Sequence, residues 1–411
     1  SSTSRGLGDV YKRQEVHDNR RILEQRITLW KGFSVRLADI IAFLGITLLA
    51  VLVRYALIGA VSPDYTYYLE PWARQIESNP GGPLMSLGKS IGNYTPLYMY
   101  FFTLAQYLPI GKLEAVKLIT LVFDFIAAFF FLYYAGKRTG SIPKGLLAYG
   151  VVLFLPSVLI NGALWGQCDI IFTFFMVLSF LWIMKGKPAG GMIFYGIAFA
   201  LKLQAVFFLP VLLVLWLHKK MKLWTFLLVP GVYLVSVVPA LLFGRSLEDV
   251  LSVYLRQTSA YSANLSMDFP NIYQITGDRF IGQMGTAAVI FTVALLAVMA
   301  YYLYCNRSIN WNADRYLLLA LFVLLLVPYF LPYMHDRYTF PADIFALLLF
   351  FRNKRYFWTV IATQLLSVLS YQRFLFQQEG IPYSWAAVAY LLFLCFLAYR
   401  LVRPEKAKAH S

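Results

Sequence analysis

The sequence predicts an all-α polytopic membrane protein with about twelve transmembrane helices. Of its 411 residues, 60% are hydrophobic and only 14% are charged, and the mean hydropathy is +0.63. Apolar runs long enough to cross a bilayer alternate with short charged loops, which is the pattern of helical membrane proteins. The net charge of +16 does not indicate nucleic-acid binding, because Lys and Arg cluster between the spans, as in cytoplasmic loops.

The chain divides into a short arm, one membrane domain and a tail. Residues 1–36 start with a stretch, up to about Gln14, that looks like a translated sequencing adapter, and we expect no native fold there. Glu15–Arg36 follows as a basic arm that we expect to be cytoplasmic and partly helical. Residues 37–403 form the predicted transmembrane domain, and 404–411 form a basic cytoplasmic tail.

Each predicted span is an apolar run bounded by polar or basic residues. In chain order the twelve are Leu37–Gly59, Glu114–Gly136, Leu146–Ile160, Ile170–Met184, two halves of Gly190–Leu217 divided at Lys202, Leu223–Phe243, Gly285–Tyr304, Tyr316–Leu331, a run that ends at Arg352, Phe357–Tyr371 and Trp385–Leu401.

The distribution of basic residues predicts the orientation of these spans. With a cytoplasmic N-terminus, 25 of the 36 Lys and Arg residues fall in cytoplasmic segments and nine are scattered singly outside. Counting Pro96–Ile110 as a span would move Lys137 and Arg138 outside, so we predict an interfacial or re-entrant segment there. Both termini are then cytoplasmic, and every polar cluster of interest lies on the extracytoplasmic face.

Two carboxylates follow the first span, in the outer loop 60–95. Asp64 and Glu70 stand six residues apart among aromatic residues such as Tyr65 and Trp72, with a predicted interfacial helix continuing to Ser78. Aromatic rings beside a carboxylate suit a sugar-binding surface, because rings stack on the apolar faces of sugars. The same composition also occurs in an aromatic belt at the membrane interface, so both interpretations stay open.

Three further polar clusters interrupt the apolar runs on the same face. Gln167 and Asp169 provide an amide and a carboxylate in a second outer loop. Lys202 and Gln204 break an apolar run, which favours a position facing a cavity, although Lys202 could instead snorkel to the interface. His335, Asp336 and Arg337 form the third cluster, in which the Arg337 guanidinium could hold a phosphate in bidentate fashion or meet lipid headgroups.

Two other groups of residues favour structural roles. Lys117 lies seven residues before Asp124 on one predicted helix face, so an ion pair between them is expected. The cysteines Cys168, Cys305 and Cys395 are far apart, with neither a disulfide framework nor metal-ligand spacing.

Five segments taken together resemble the GT-C class of membrane glycosyltransferases. The resemblance covers about 37–400 and includes bacterial proteins related to glycosylphosphatidylinositol mannosyltransferases and to dolichol-phosphate-glucose transferases. The segments are Asp64 after the first span, Asn93–Tyr98, Trp165–Asp169, Lys202–Gln204 and Met334–Tyr338.

The resemblance implies a hexosyltransferase that uses a polyprenyl-phosphate sugar, of mannose or glucose type, as donor. It implies that Asp64 is the catalytic base and that Arg337, His335 and Lys202 are candidates to bind the lipid phosphate. The acceptor is expected to be a lipid-linked or cell-envelope glycan at the outer leaflet. Relatives often carry Lys-Pro-Gln where this chain has Lys202-Leu203-Gln204. The other expected substrate-binding residues are Glu70, Tyr94, Gln167, Asp169, Gln204 and Tyr338.

We expect an inverting reaction without a cofactor. A lipid phosphate already leaves as an anion, so one base and a few cations suffice for the chemistry, whereas a double displacement needs two close carboxylates. A metal held by Asp64, Glu70 and Asp169 is an alternative, because hard cations bind oxygen ligands. Two rival functions are a transporter or flippase of lipid-linked sugars and a polysaccharide polymerase or ligase. The former tends to show repeated halves, and none is evident here.

Overall fold

The computed structural model describes residues 22–30, 33–260, 264–277, 281–306 and 309–403. The expectations for an adapter-like start and a basic tail beyond 403 lie outside the described residues. Compact packing divides the chain into two units, one made of 1–57 with 125–154 and the other of 58–124 with 155–411. All the predicted site residues belong to the second unit.

The protein is almost entirely helical, which confirms the predicted all-α fold class. The seventeen α-helices of the described residues, numbered α1 to α17, are Leu37–Ile58, Glu70–Glu77, Pro96–Ala105, Lys112–Thr139, Ile142–Leu153, Pro156–Leu159, Asp169–Met184, Pro188–Leu201, Leu209–Leu217, Leu228–Leu242, Leu247–Ala260, Tyr273–Thr276, Ile281–Cys305, Ala313–Phe330, Phe340–Arg352, Phe357–Ser370 and Tyr383–Val402.

Short segments of other geometry connect these helices. Two are π-helical turns, Tyr65–Leu69 and Ile160–Trp165, and both adjoin the site described below. The 3₁₀ turns are Pro83–Gly88, Leu203–Phe208, Leu223–Leu227 and Lys354–Tyr356, and the strands β1 to β4 are Arg26–Trp30, Phe33–Arg36, Ser266–Met267 and Met334–His335.

In the arm before the first span, residues 22–24 are helical and most of the other described residues are extended. β1 pairs antiparallel with β2, with Arg26 opposite Arg36 and Ile27 opposite Val35. Thr28 and Val35 are β-branched residues, which favour extended backbone. Among the described residues of the arm, the expected helix is therefore confined to 22–24, and 26–30 with 33–36 form strands.

The structure confirms the predicted apolar helices but leaves the number of spans as a prediction. Among the described residues, six helices are long and apolar enough to cross a membrane, and a seventh results if Ile142–Leu153 and Pro156–Trp165 count as one broken span. Several other predicted spans are shorter. Asp169–Met184, for example, has 16 residues and a rise of about 24 Å, against roughly 30 Å of hydrocarbon.

The segment predicted to be interfacial or re-entrant is a helix of ten residues, Pro96–Ala105. Its rise of about 15 Å is half of a bilayer core, so it cannot cross a membrane alone. Its placement at the interface stays a prediction.

The centre of the second unit is made of helices that are apolar on all sides. Every residue from Arg315 to Tyr329 in α14 is buried, and so is every residue from Phe340 to Leu349 in α15. A helix with an apolar surface all round is stable only when other helices surround it. The chain segment between α14 and α15 is thereby anchored at both ends by buried helices, and it carries His335, Asp336 and Arg337.

Candidate functional site

Asp64 is the best-anchored carboxylate of the first outer loop. It precedes the π-helical turn Tyr65–Leu69 and is 7% exposed. Its Oδ2 accepts hydrogen bonds from Trp165 Nε1 at 2.9 Å and Gln167 Nε2 at 2.6 Å, and Arg337 Nη1 lies 3.3 Å away. No described residue donates a hydrogen bond to the other oxygen, Oδ1. One oxygen is therefore fixed by two hydrogen bonds and one ion pair, and the other is available to a ligand.

The donors Trp165 and Gln167 are positioned by a tight turn. The second π-helical turn ends at Trp165, and Gly166 follows with φ of +82°, a left-handed conformation that favours glycine. The Gln167 backbone N–H then donates to Asn161 O at 2.8 Å, and Ser62 Oγ donates to Trp165 O at 2.8 Å. Single π-helical turns are rare and often occur at functional sites.

Lys117 connects the two loops that form this part of the site. Its Nζ donates to the carbonyl oxygens of Ile58 at 3.0 Å, Ala60 at 2.6 Å and Leu164 at 2.9 Å, and the residue is fully buried. These three bonds use all three ammonium protons. The predicted ion pair with Asp124 is therefore wrong, because nearby loop carbonyls take the protons instead.

Asp169 and Lys202 form a second buried ion pair. Lys202 Nζ lies 2.5 Å from Asp169 Oδ1, and Asn161 Nδ2 donates to Asp169 Oδ2 at 2.8 Å. The helix α8 ends just before Lys202, where the backbone is extended, so the side chain turns inward. Lys202 is 5% exposed and its ammonium lies 5.7 Å from the ring centroids of Tyr94 and Phe172. The alternative that Lys202 snorkels to the interface is therefore wrong.

Arg337 lies between two carboxylates. Besides Asp64, its Nη1 lies 3.7 Å from Asp336 Oδ1, and its guanidinium lies 5.3 Å from the Trp165 ring centroid. Burial by itself would lower the Arg337 pKa, but the Asp64 and Asp336 carboxylates outweigh it and raise that pKa, so the side chain stays charged. Its Nε is buried and has no hydrogen-bond partner among the described residues. A side chain 12% exposed and ion-paired in this way does not fit the alternative of lipid-headgroup contact.

The neighbours of Arg337 in sequence are also buried. Burial raises the pKa of Asp336 well above its usual range, which favours the protonated acid. Burial, followed by the charges of Arg337 and Lys202, lowers the pKa of His335 well below its usual range, so the imidazole is neutral at pH 7. The His335 ring packs edge-on against Tyr338 with centroids 5.2 Å apart. His335 thus lies within electrostatic range of both cations.

A layer of aromatic residues borders Gln167. Tyr94 OH donates to Gln167 Oε1 at 3.3 Å, and burial raises the Tyr94 pKa well above its usual range, so the phenol remains a donor. The Tyr94 ring packs against Tyr98 at 4.6 Å and against Trp72 at 5.8 Å. A carboxylate, an amide and several rings therefore meet in one place, as sugar-binding sites require.

The structure brings together most, but not all, of the residues that the sequence singles out. Glu70 and Gln204 are the two exceptions, and the Glu70 carboxylate pairs with Arg74 at 2.5 Å on the partly exposed helix α2. Gln204 Oε1 is buried without a hydrogen-bond partner among the described residues. The residues joined by direct contacts or electrostatic range are Asp64, Tyr94, Gln167, Asp169, Lys202, His335, Arg337 and Tyr338.

The metal alternative does not fit this arrangement. Glu70 faces Arg74, while Asp64 and Asp169 each face a different cation. Within the described part of the chain, no three His, Cys, Asp or Glu side chains are grouped as metal ligands. The three carboxylates therefore do not converge.

Four residues of the site were not singled out as site residues from the sequence. Trp165 and Asn161 hold the two carboxylates, Lys117 connects the loops, and Asp336 shares Arg337. Trp165 and Asp336 do lie within the segments that carry the resemblance. Asn161 and Lys117 give no such signal, because their roles depend on contacts across 8 and 47 residues of the chain.

Comparison with known protein families now gives the site a context. Residues 93–328 match the model of Glycosyltransferase family 87, which is more than half of the chain. The matched region includes Gln167, Asp169 and Lys202 but neither Asp64 nor Arg337. A search of curated proteins finds no match. The match agrees with the GT-C resemblance, whereas a closer relation to glycosylphosphatidylinositol mannosyltransferases stays a prediction. The chain therefore belongs to glycosyltransferase family 87, and it is a membrane glycosyltransferase.

Proposed function

We propose that this glycosyltransferase moves a hexose, of mannose or glucose type, from a polyprenyl-phosphate donor to a lipid-linked or cell-envelope glycan. The observation that carries the proposal is the buried contact between Asp64 and Arg337. A carboxylate able to act as a base and a cation able to hold a phosphate lie 3.3 Å apart in one site. A reaction that removes a proton from an alcohol and releases a phosphate needs both groups together.

Asp64 is the proposed general base. Its Oδ2 is held by Trp165 and Gln167, which leaves Oδ1 to accept the proton of the acceptor hydroxyl. The acceptor oxygen forms its new bond to the anomeric carbon as that proton moves to Asp64. Donors that fix one oxygen reduce the rotational freedom of the carboxylate, so little reorganisation is needed when the substrate binds.

Arg337 and Lys202 are the proposed groups that stabilise the leaving phosphate. The bond between the anomeric carbon and the phosphate oxygen breaks, and the electron pair remains on that oxygen. Arg337 Nε, buried and without a partner among the described residues, is a donor available for such an anion. A phosphate that draws Arg337 away from Asp64 would also free the base at the moment it is needed.

A single displacement with inversion follows from the carboxylates available. A double displacement needs a second carboxylate about 5 Å from the first, acting as a nucleophile. Asp169 is bound by Lys202 and Asn161 through both oxygens, and burial favours protonated Asp336. Asp64 therefore acts without a carboxylate partner in the proposed reaction.

The proposed orientation places this site on the extracytoplasmic face, with both termini in the cytoplasm. It is supported by the concentration of basic residues in the segments assigned to the cytoplasm. Single-cysteine variants at Lys89 and Lys354, labelled from outside intact cells, test it. Labelling is expected at 89 only, and labelling at 354 alone would reverse the orientation.

The test of function is transfer by purified protein from a panel of polyprenyl-phosphate mannose and glucose donors. Product with at least one lipid donor, and none with the corresponding sugar nucleotide, supports the proposal. Transfer from the sugar nucleotide instead would refute the donor class. Movement of sugar lipid across liposomes without any transfer would favour the flippase alternative.

A further inference from the structure

A cleft lies apart from the residues of the candidate site. It has a volume of about 740 Å³ and is formed by two turns, one joining α7 to α8 and the other following α9. Ligand pockets in proteins usually measure about 300–1,000 Å³, so the space is large enough for a specific small ligand. Both turns belong to the segments that we predict to be cytoplasmic.

The side chains that line the cleft are strongly cationic. Four lysines contribute, and the lining contains neither Asp nor Glu. Within the described part of the chain, none of the four ammonium groups forms an ion pair with a carboxylate. The four lysines are Lys187, Lys219, Lys220 and Lys222.

The backbone at one of these lysines adopts an unfavourable conformation. Lys219 has a φ of +57°, in the left-handed region that glycine and asparagine adopt more readily. Its N–H donates to Trp216 O at 2.8 Å, so the turn itself is closed by hydrogen bonding. The turn therefore holds Lys219 in a defined backbone conformation next to Lys220 in the lining of the cleft.

The cleft also borders surface suited to lipid. Trp216 and Trp224 line it, and Trp224 is 53% exposed. Leu223 and Leu227, in the first turn of the candidate span Leu223–Leu242, are 60% and 72% exposed. Tryptophan is enriched where a membrane protein meets the headgroup layer. Lysines, tryptophans and exposed leucines therefore occur together, and a phospholipid offers a phosphate, an interfacial glycerol and acyl chains as matching groups.

We infer that this cleft binds the phosphate headgroup of an anionic phospholipid from the leaflet on its own face. Basic pockets between membrane helices are known to accept such headgroups. A free phosphate would leave most of the volume empty and would make no use of the tryptophans or the exposed leucines. The inference does not depend on the donor or acceptor of the glycosyl transfer.

Native mass spectrometry of the full chain in detergent tests the inference without any variant. The protein is titrated with dioleoylphosphatidylglycerol and, separately, with dioleoylphosphatidylcholine. We expect at least fivefold tighter binding of the anionic lipid. Equal binding of the two lipids would overturn the inference. A third titration uses glycerol 3-phosphate, and binding as tight as that of phosphatidylglycerol would replace the lipid by a soluble anion.

Variants then locate the site. The triple substitution Lys219→Gln, Lys220→Gln and Lys222→Gln is expected to weaken phosphatidylglycerol binding at least tenfold. Arginine at the same three positions keeps the charge and is expected to retain binding within threefold. Size-exclusion profiles and melting temperatures establish that each variant is folded.

A matched control removes the same number of charges elsewhere. Lys137, Lys144 and Lys354 are exposed lysines in other predicted cytoplasmic segments, and none lines the cleft. Their triple change to glutamine is expected to alter the affinity by less than twofold. An equal loss in this control would show that net surface charge attracts the lipid, which would overturn a specific site.

Discussion

Replacing Asp64 by asparagine separates the chemistry of this carboxylate from its packing. Asparagine has the same shape, and its carbonyl oxygen can still accept from Trp165 Nε1 and Gln167 Nε2, now 2.9 and 2.6 Å from Oδ2. The substitution removes the proton acceptor and the negative charge that faces Arg337. Both losses are predicted to act on the rate, while the turn around Trp165 keeps its hydrogen bonds.

The size of the effect follows from these two roles. A general base contributes about 10²–10⁴ in rate, which corresponds to roughly 3–5 kcal/mol of activation free energy. Removing one partner of a buried ion pair can cost about 3–5 kcal/mol of folding stability. The Asp64 charge is one of the causes that raise the Asp336 pKa, so its removal favours an ionised Asp336 at 3.7 Å from Arg337. Because Arg337 also keeps 12% exposure to solvent, we expect the stability loss to fall below that range.

The assay measures initial rates of sugar transfer at saturating donor, together with melting temperature in the same detergent. We expect Asp64→Asn to lower kcat at least 100-fold, with a melting temperature close enough to the wild type for the protein to be folded at the assay temperature. A rate within tenfold of wild type would refute Asp64 as the base.

Glu77 offers a matched control in the same outer loop. Its carboxylate pairs with Lys112 at 2.7 Å, and both side chains are more than a third exposed. Exposed ion pairs contribute about 0–1 kcal/mol. Glu77→Gln should therefore leave both rate and melting temperature nearly unchanged. A comparable loss of rate in this variant would mean that charge in the loop matters generally, not the position of Asp64.

Three further predictions test the surroundings of the site. Lys117→Met removes three buried charged hydrogen bonds, each worth about 1.5–3 kcal/mol, and should lower the melting temperature strongly. The control Lys112→Met, at an exposed ion pair, should not lower it. Equal melting temperatures of the two variants would contradict the role of Lys117 in connecting the loops. Gly166→Ala, at a φ of +82°, should lower the folding stability by about 1–2 kcal/mol and reduce the transfer activity. Gly186→Ala, at a φ of +75° with open space around it, should lower the stability alone. Full activity of Gly166→Ala would refute the role of this turn in positioning Trp165 and Gln167. Because burial lowers the pKa of His335, this imidazole is protonated at a higher pH in the unfolded chain than in the folded one, so stability should fall as the pH drops below about 6.5. The melting temperature should therefore fall less between pH 7.5 and 5.5 in His335→Gln than in the wild type. Identical pH profiles of the two proteins would contradict this.

The sequence by itself was enough for the fold class and for the approximate bounds of the long apolar helices. Hydrophobic runs report burial in lipid or in a helix bundle directly, since an unpaired backbone in an apolar environment must become helical. The break at Lys202 was visible in the same way, because a charge in an apolar run is costly unless it is paired. Asp64 and Arg337 stood out because this chain has few ionisable groups outside its basic loops.

Which charges meet was decided only by the tertiary structure. Asp64 and Arg337 are separated by more than half of the chain, and their contact depends on the two buried helices α14 and α15 that hold the intervening loop. Glu70 is as acidic and aromatic in context as Asp64, yet it pairs locally with Arg74. Local pattern cannot distinguish two such carboxylates, because their roles differ in what packs against them across the fold. The same holds for Lys117, where three loop carbonyls are nearer than the expected acid.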